Sequence, residues 1–110
     1  MTNDSQRIGH ILQAIEKICK ITSCTREDFV ASSLKKDATL YNLLVIGEAA
    51  NKISSELQMS HPEIPWKVVI GMRNILIHDY VQTNYGLIWK TATEDLPLLQ
   101  KQLLAIQCEK

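Results

Sequence analysis

The alternation of apolar and polar positions is helical along almost the whole chain. Ile8, Ile11, Leu12, Ile15, Ile18 and Cys19 recur at intervals of three and four, one face of an amphipathic helix. Arg7, Gln13, Glu16, Lys17 and Lys20 fall off that stripe, and Asp4 or Ser5 can cap the first free amides. Thr22-Ser23-Cys24-Thr25 ends the segment. Thr25-Arg26-Glu27-Asp28 then has the form of a capping box with aspartate in the reciprocal position, opening a short helical turn that offers Phe29 and Val30. The longest predicted helix runs from about Ser33 to Leu57. Its stripe of Leu40, Leu43, Leu44, Ile46, Gly47, Ala50, Ile53 and Leu57, widened by Tyr41, Val45 and Ala49, is broad enough to meet neighbours on more than one side. Gly47, Ala49 and Ala50 form a small-residue patch where another helix can come close, flanked by Glu48 and Asn51.

His61-Pro62-Glu63-Ile64-Pro65 interrupts the pattern, because two prolines exclude a continuous helix, and Pro65 suits the first position of the next one. That helix, through Tyr80, carries Trp66, Val69, Ile70 and Ile77 on one face and Val68, Met72 and Ile75 on another, which predicts burial on two sides. Gly71 costs roughly 1 kcal/mol in a helix interior, so a close neighbour is expected there. Thr83-Asn84 is expected to cap a helix with Leu87, Ile88 and Trp89. Asp95-Leu96-Pro97 should break or re-aim it, with Asp95 as a new N-cap, before Leu98, Leu99, Leu103, Leu104 and Ile106 carry the last helix. No strand alternation, internal repeat or low-complexity tract interrupts this pattern. The expected fold is an all-α bundle of four to five helices with short connections, one domain over residues 1–110.

Composition agrees with one soluble core and adds one constraint. Lys and Arg number twelve and Asp and Glu twelve, a formal net charge of zero, so any nucleic-acid footprint must be local or built by pairing two copies. Cys19, Cys24 and Cys108 lack metal-type spacing and read as thiols of a reducing compartment. The amino terminus has no signal-peptide pattern, and no apolar run approaches the ~18 residues of a membrane span, so a cytoplasmic protein is expected.

Arg73-Asn74-Ile75-Leu76-Ile77-His78-Asp79-Tyr80 stands out, because it places an arginine, an asparagine, a histidine and a tyrosine within a helix that is apolar on nearly every face. Burying such groups unpaired costs a few kcal/mol each. Asn74 and His78, four apart, are neighbours on one face, whereas Arg73 and His78, five apart, point roughly 140° from each other. By spacing alone a satisfied network with Glu48, Asp79 or Glu94 is the simpler reading; a chemical site needs a helix end or a second copy of the chain. Trp66 and Trp89 read as core, Tyr41 and Tyr85 as packing residues, and His10 and His61 as surface.

Gly47-Glu48-Ala49, Ile64-Pro65-Trp66, Gly71-Met72-Arg73-Asn74, His78-Asp79-Tyr80 and Thr93-Glu94-Asp95-Leu96-Pro97 occur in this order over nearly the full chain. Together they resemble the HepT toxins of the HEPN superfamily. The resemblance implies an up-and-down HEPN-type bundle that forms a homodimer, with R-x4-6-H motifs from both copies lining one cleft. It implies a metal-independent endoribonuclease toxin of a type VII HepT/MntA toxin–antitoxin pair, acting on cellular RNA such as tRNA and needing no cofactor. Arg73 and His78 match the catalytic pair, Asn74 and Glu48 would support them, and Tyr80 matches the tyrosine to which a minimal nucleotidyltransferase antitoxin attaches AMP. Histidine, with an unperturbed pKa near ~6.5, suits proton transfer at neutral pH, and arginine suits a phosphate. The alternative is a non-catalytic helical partner of such a nucleotidyltransferase.

Overall fold

The computed structural model describes residues 3–79 and 85–108, with backbone alone for 75–79 and 108. Every element among the described residues is a helix, and local capping explains where three of them begin. Helix α1 (Asp4–Ile21) buries Ile8, Ile11, Ala14, Ile15 and Ile18, and ends where the Thr22 hydroxyl donates back to the Ile18 carbonyl at 2.8 Å. The expected cap at Thr25 is present: its Oγ1 accepts from the Asp28 N–H at 3.1 Å and opens α2 (Arg26–Ala31), which buries Phe29 completely. Ser32 does the same for the Lys35 N–H at 3.1 Å and opens α3 (Ser33–Asn51).

The long helix stops six residues before the expected Leu57. Ser54 is the reason: its Oγ accepts from the Leu57 N–H at 3.2 Å and starts a separate short helix, α4 (Ser55–Ser60). This cap is fixed from across the molecule. The Asp4 carboxylate accepts from the Ser54 N–H at 2.9 Å and from its hydroxyl at 2.6 Å, charge-assisted bonds of the stronger kind. Asp4 therefore does not cap its own helix, whose N-cap position is Asn3 without a side-chain bond. Because the start of α1 meets the residue just beyond α3, the two helices run antiparallel.

Helix α5 (Trp66–Asp79) begins one residue after Pro65, whose carbonyl accepts the Val69 N–H at 3.0 Å. The Trp66 indole donates to the His61 carbonyl at 3.0 Å and closes the linker onto the helix. The expected cap at Thr83-Asn84 lies outside the described residues. Helix α6 (Tyr85–Lys90) passes through a π-helical turn (Thr91–Asp95) directly into α7 (Leu96–Cys108). The predicted break at Asp95-Leu96-Pro97 is thus a widening instead, and Asp95 lies within the turn rather than capping a new helix. Proline clashes with the carbonyl four residues before it and cannot donate to it. A π turn relaxes that demand, and here the Leu96 N–H reaches back five residues to the Thr91 carbonyl. The Thr93 hydroxyl donates to the Trp89 carbonyl at 2.7 Å within the same turn.

The long rods are α1, α3, α5 and the continuous α6–α7, an all-α bundle of the expected kind. Helix α3 lies between α1 and α5 and buries residues towards both, among them Leu40, Leu43, Ile46, Gly47 and Ala50. Leu96, Leu99, Leu103 and Ile106 close the core, with α7 packed on α1. Trp66 is buried, and Trp89 packs partly buried against Phe29 with ring centroids 5.3 Å apart. Tyr85 is a packing residue under the Lys36 ammonium, 4.6 Å from its ring.

Four expectations about individual side chains fail. Gly71 has no neighbour: a Cβ there would meet nothing within 4 Å. Val68 is 64% exposed while Met72, on the same face, is buried, so the second side of α5 is covered only in part. Tyr41 is 63% exposed rather than packed. His61 is largely covered, its side chain 16% exposed and its Nδ1 3.3 Å from a Glu63 carboxylate oxygen.

Candidate active site

A close approach of α3 and α5 puts Arg73 in place. A Cβ on Gly47 would lie 2.6 Å from the Arg73 backbone nitrogen, 2.8 Å from the Arg73 Cβ and 2.8 Å from the Ile70 carbonyl oxygen. Only glycine lets α3 and α5 meet there. The next residue, Glu48, accepts a hydrogen bond from Arg73 Nη1 at 3.2 Å. Gly47-Glu48 acts as one device, the glycine admitting the α5 backbone and the carboxylate aiming the guanidinium. The side chains are 31% and 48% exposed, so this pair adds only about 0–1 kcal/mol to stability. Its effect is orientation. A guanidinium has five N–H donors in a fixed fork, and the single bond to Glu48 leaves most of them for an anion.

Asn74 is exposed on α5. The α5 backbone remains helical through Asp79, so His78 keeps its register four residues after Asn74 and about 140° around the axis from Arg73. The side chain of His78 lies outside the described residues, and so does Tyr80. Arg73 and Glu48 are therefore brought together, Asn74 is free to meet a ligand, and one straight helix does not aim Arg73 and His78 at the same point. Asn51 is exposed at the end of α3.

Two surfaces flank the site. Between α5 and the α6–α7 rod lies an apolar groove of about 670 Å³ lined by Val68, Gly71, Met72, Leu87, Leu98 and Leu99. Val68, Leu87 and Leu98 are 64%, 55% and 59% exposed, so an open aliphatic surface spans Val68 of α5 and the facing rod. Between α1 and α3 lies a groove of about 420 Å³ whose lining includes Arg7, His10, Lys17, Tyr41, Lys52 and Glu48. Sequence reading missed this groove. Its residues recur at helical spacing on two separate helices, and only the antiparallel register set by Asp4 and Ser54 joins the two half-stripes.

Among the described residues, no three His, Cys, Asp or Glu side chains gather closely enough to hold a metal ion, and Cys19 and Cys24 are free thiols. No helix among them is long and apolar enough to cross a membrane.

Comparison with known proteins meets this geometry. The profile of the HepT-like family, described as "Ribonuclease HepT-like", matches residues 11–106. The chain is 38% identical over 100 residues to "Putative RNase TTE0752" of Caldanaerobacter subterraneus subsp. tengcongensis, covering 90% of this chain and 89% of that one. It is 38% identical over 91 residues to "Probable ribonuclease HepT" of Thermococcus cleftensis, covering 82% of this chain and 83% of that one. No solved structure matches the chain. With a match across nearly its whole length, and with Arg73 held at the junction of α3 and α5, the chain belongs to the HepT-like ribonuclease family.

Proposed function

We propose that this protein is a metal-independent endoribonuclease toxin that cuts RNA at a site built from Arg73 and His78 of two copies of the chain. The observation that carries this reading is the seating of Arg73 over Gly47 with its guanidinium held by Glu48, on the helix whose register continues to His78. RNA supplies its own nucleophile. The 2′-oxygen attacks the adjacent phosphorus, forming the O–P bond as the bond to the 5′-oxygen breaks. One His78 takes the proton from the 2′-hydroxyl and the other gives a proton to the departing 5′-oxygen, leaving a cyclic phosphate and a free hydroxyl. Arg73 grips the phosphate and offsets charge that grows on its oxygens, while Asn74 orients the imidazole or donates to the phosphate.

The need for two copies follows from the register. Arg73 faces α3, and the position of His78 turns about 140° away, so a partner chain brings the missing residue. The aliphatic surface around Val68, Leu87 and Leu98 suits that pairing. Purified protein is expected to degrade tRNA and other single-stranded RNA in excess chelator, and His78→Ala to lose that activity by about a thousandfold or more. Undiminished cleavage by His78→Ala would falsify the mechanism. If the wild-type protein leaves RNA intact, the open aliphatic groove favours the second reading, a non-catalytic partner of a nucleotidyltransferase.

Tyr80 is the proposed control point, in a type VII pairing with a minimal nucleotidyltransferase antitoxin in the cytoplasm. Its phenolic oxygen attacks the α-phosphorus of ATP, pyrophosphate leaves, and the phenolic proton passes to solvent or a base. The anionic adduct, close in sequence to Arg73 and His78, competes with the RNA phosphate. Co-expression with such an enzyme is expected to add the mass of AMP at Tyr80, read by peptide mass spectrometry. The same addition found in Tyr80→Phe would show that another residue is the acceptor.

A further inference from the structure

The groove between α1 and α3 concentrates one sign of charge on a chain whose net charge is zero. Arg7, Lys17 and Lys52 line it together with His10, and none of these three cations is in an ion pair among the described residues. The only carboxylate in the lining is Glu48, and Arg73 already neutralises it. The antiparallel register brings Lys17 level with Tyr41, His10 level with Glu48, and Arg7 level with Lys52. The ten residues from Arg7 to Lys17 span about 15 Å of helix. That is the length of a few nucleotides of a single strand. Tyr41, 63% exposed on the edge of the groove, offers an aromatic face beside the lysine.

We propose that this groove is the track along which single-stranded RNA approaches the site, its phosphates on Arg7, Lys17 and Lys52 and one base stacked on Tyr41. Spaced cations beside a solvent-facing ring match the repeating backbone and base of a single strand. An acidic peptide would use the cations and leave the ring idle. Glu48 lies midway along the groove, between Tyr41 and Lys52, and holds Arg73, so a strand lying in it passes beside the guanidinium. The assignment rests on the ribonuclease reading and extends it. It makes Arg7, Lys17, Lys52 and Tyr41 substrate-binding residues outside the reacting centre.

The test uses the full-length chain and a short fluorescein-labelled single-stranded RNA, with binding followed across a salt series in the His78→Ala background and cleavage followed with His78 intact. Replacing Arg7, Lys17 and Lys52 together by glutamine is expected to reduce the slope of log K against log salt by about 2, and to raise KM about tenfold or more with kcat retained. Tyr41→Ala is expected to weaken binding at least about fivefold, while Tyr41→Phe, which keeps the ring, binds as the parent does. Lys101→Gln, on the exposed face of α7, should leave both measurements unchanged. Helical circular dichroism checks that each variant is folded. A triple variant with unaltered slope and KM, in a protein that cleaves RNA, overturns the track and leaves the ribonuclease reading intact. A wild-type protein that neither binds nor cleaves the RNA overturns both.

Discussion

Arg73→Lys is expected to lower RNA cleavage by about a hundredfold or more while leaving the helical fold unchanged. Lysine keeps the charge but replaces a planar fork with a point charge on a flexible stem, so it cannot hold Glu48 and a phosphate in one fixed geometry. Loss of one well-placed donor to a developing oxyanion costs about 10²–10³ in rate in other enzymes. The exposed Glu48 pair contributes little to stability, so the melting temperature should barely move. A structural ion pair would behave in the opposite way, tolerating lysine in activity. The proposed two-chain site makes a further demand. Exchange of wild-type subunits with an equal amount of His78→Ala chains is expected to cut activity by about half, because a mixed dimer holds only one His78. Unchanged activity, with mixed dimers verified by mass, would mean that each chain uses its own pair.

Gly47→Ala is expected to destabilise the protein by about 2–3 kcal/mol and to impair cleavage as well. The added methyl would meet backbone on α5, at 2.6 Å from the Arg73 nitrogen and 2.8 Å from the Ile70 carbonyl oxygen, and no rotamer change relieves that. The helices must separate, which is the overpacking penalty at its least forgiving. Gly9→Ala is the control, because a Cβ there meets nothing within 4 Å and alanine is the better helix former by about 1 kcal/mol. Urea titration should therefore move the two variants in opposite directions. Equal midpoints would show that the α3–α5 contact is loose and that Arg73 is not seated by it.

Helix existence was legible in the sequence because each stripe depends on neighbours three and four residues away, and the cap at Thr25 depends on Asp28 alone. The same is true of the small-residue patch, since Gly47 among broad apolar positions announces a close contact without naming the partner. What escaped depends on distant residues or on the absence of a neighbour. Nothing local to Ser54 reveals that Asp4 holds it, so the long helix was extended past its true end. Pro97 normally stops a helix, and the π turn that accommodates it is a collective adjustment of five residues. Val68 and Tyr41 look like core residues by spacing, but which side of a broad stripe receives a neighbour depends on packing. At the candidate site, Arg73 with Glu48 was readable in part, because the motif marks the arginine and the glycine-glutamate pair marks its seat. The groove of Arg7, Lys17, Tyr41 and Lys52 was not, since it exists only once α1 and α3 are set side by side.

The bond between Asp4 and Ser54 also says something about order in time. Both partners, and with them the register of α1 against α3, are complete once residue 54 has been made, before α5 begins at Trp66. The seat at Gly47 and Glu48 belongs to that earlier half of the chain. Arg73 is thus synthesised after the surface that receives it has been specified.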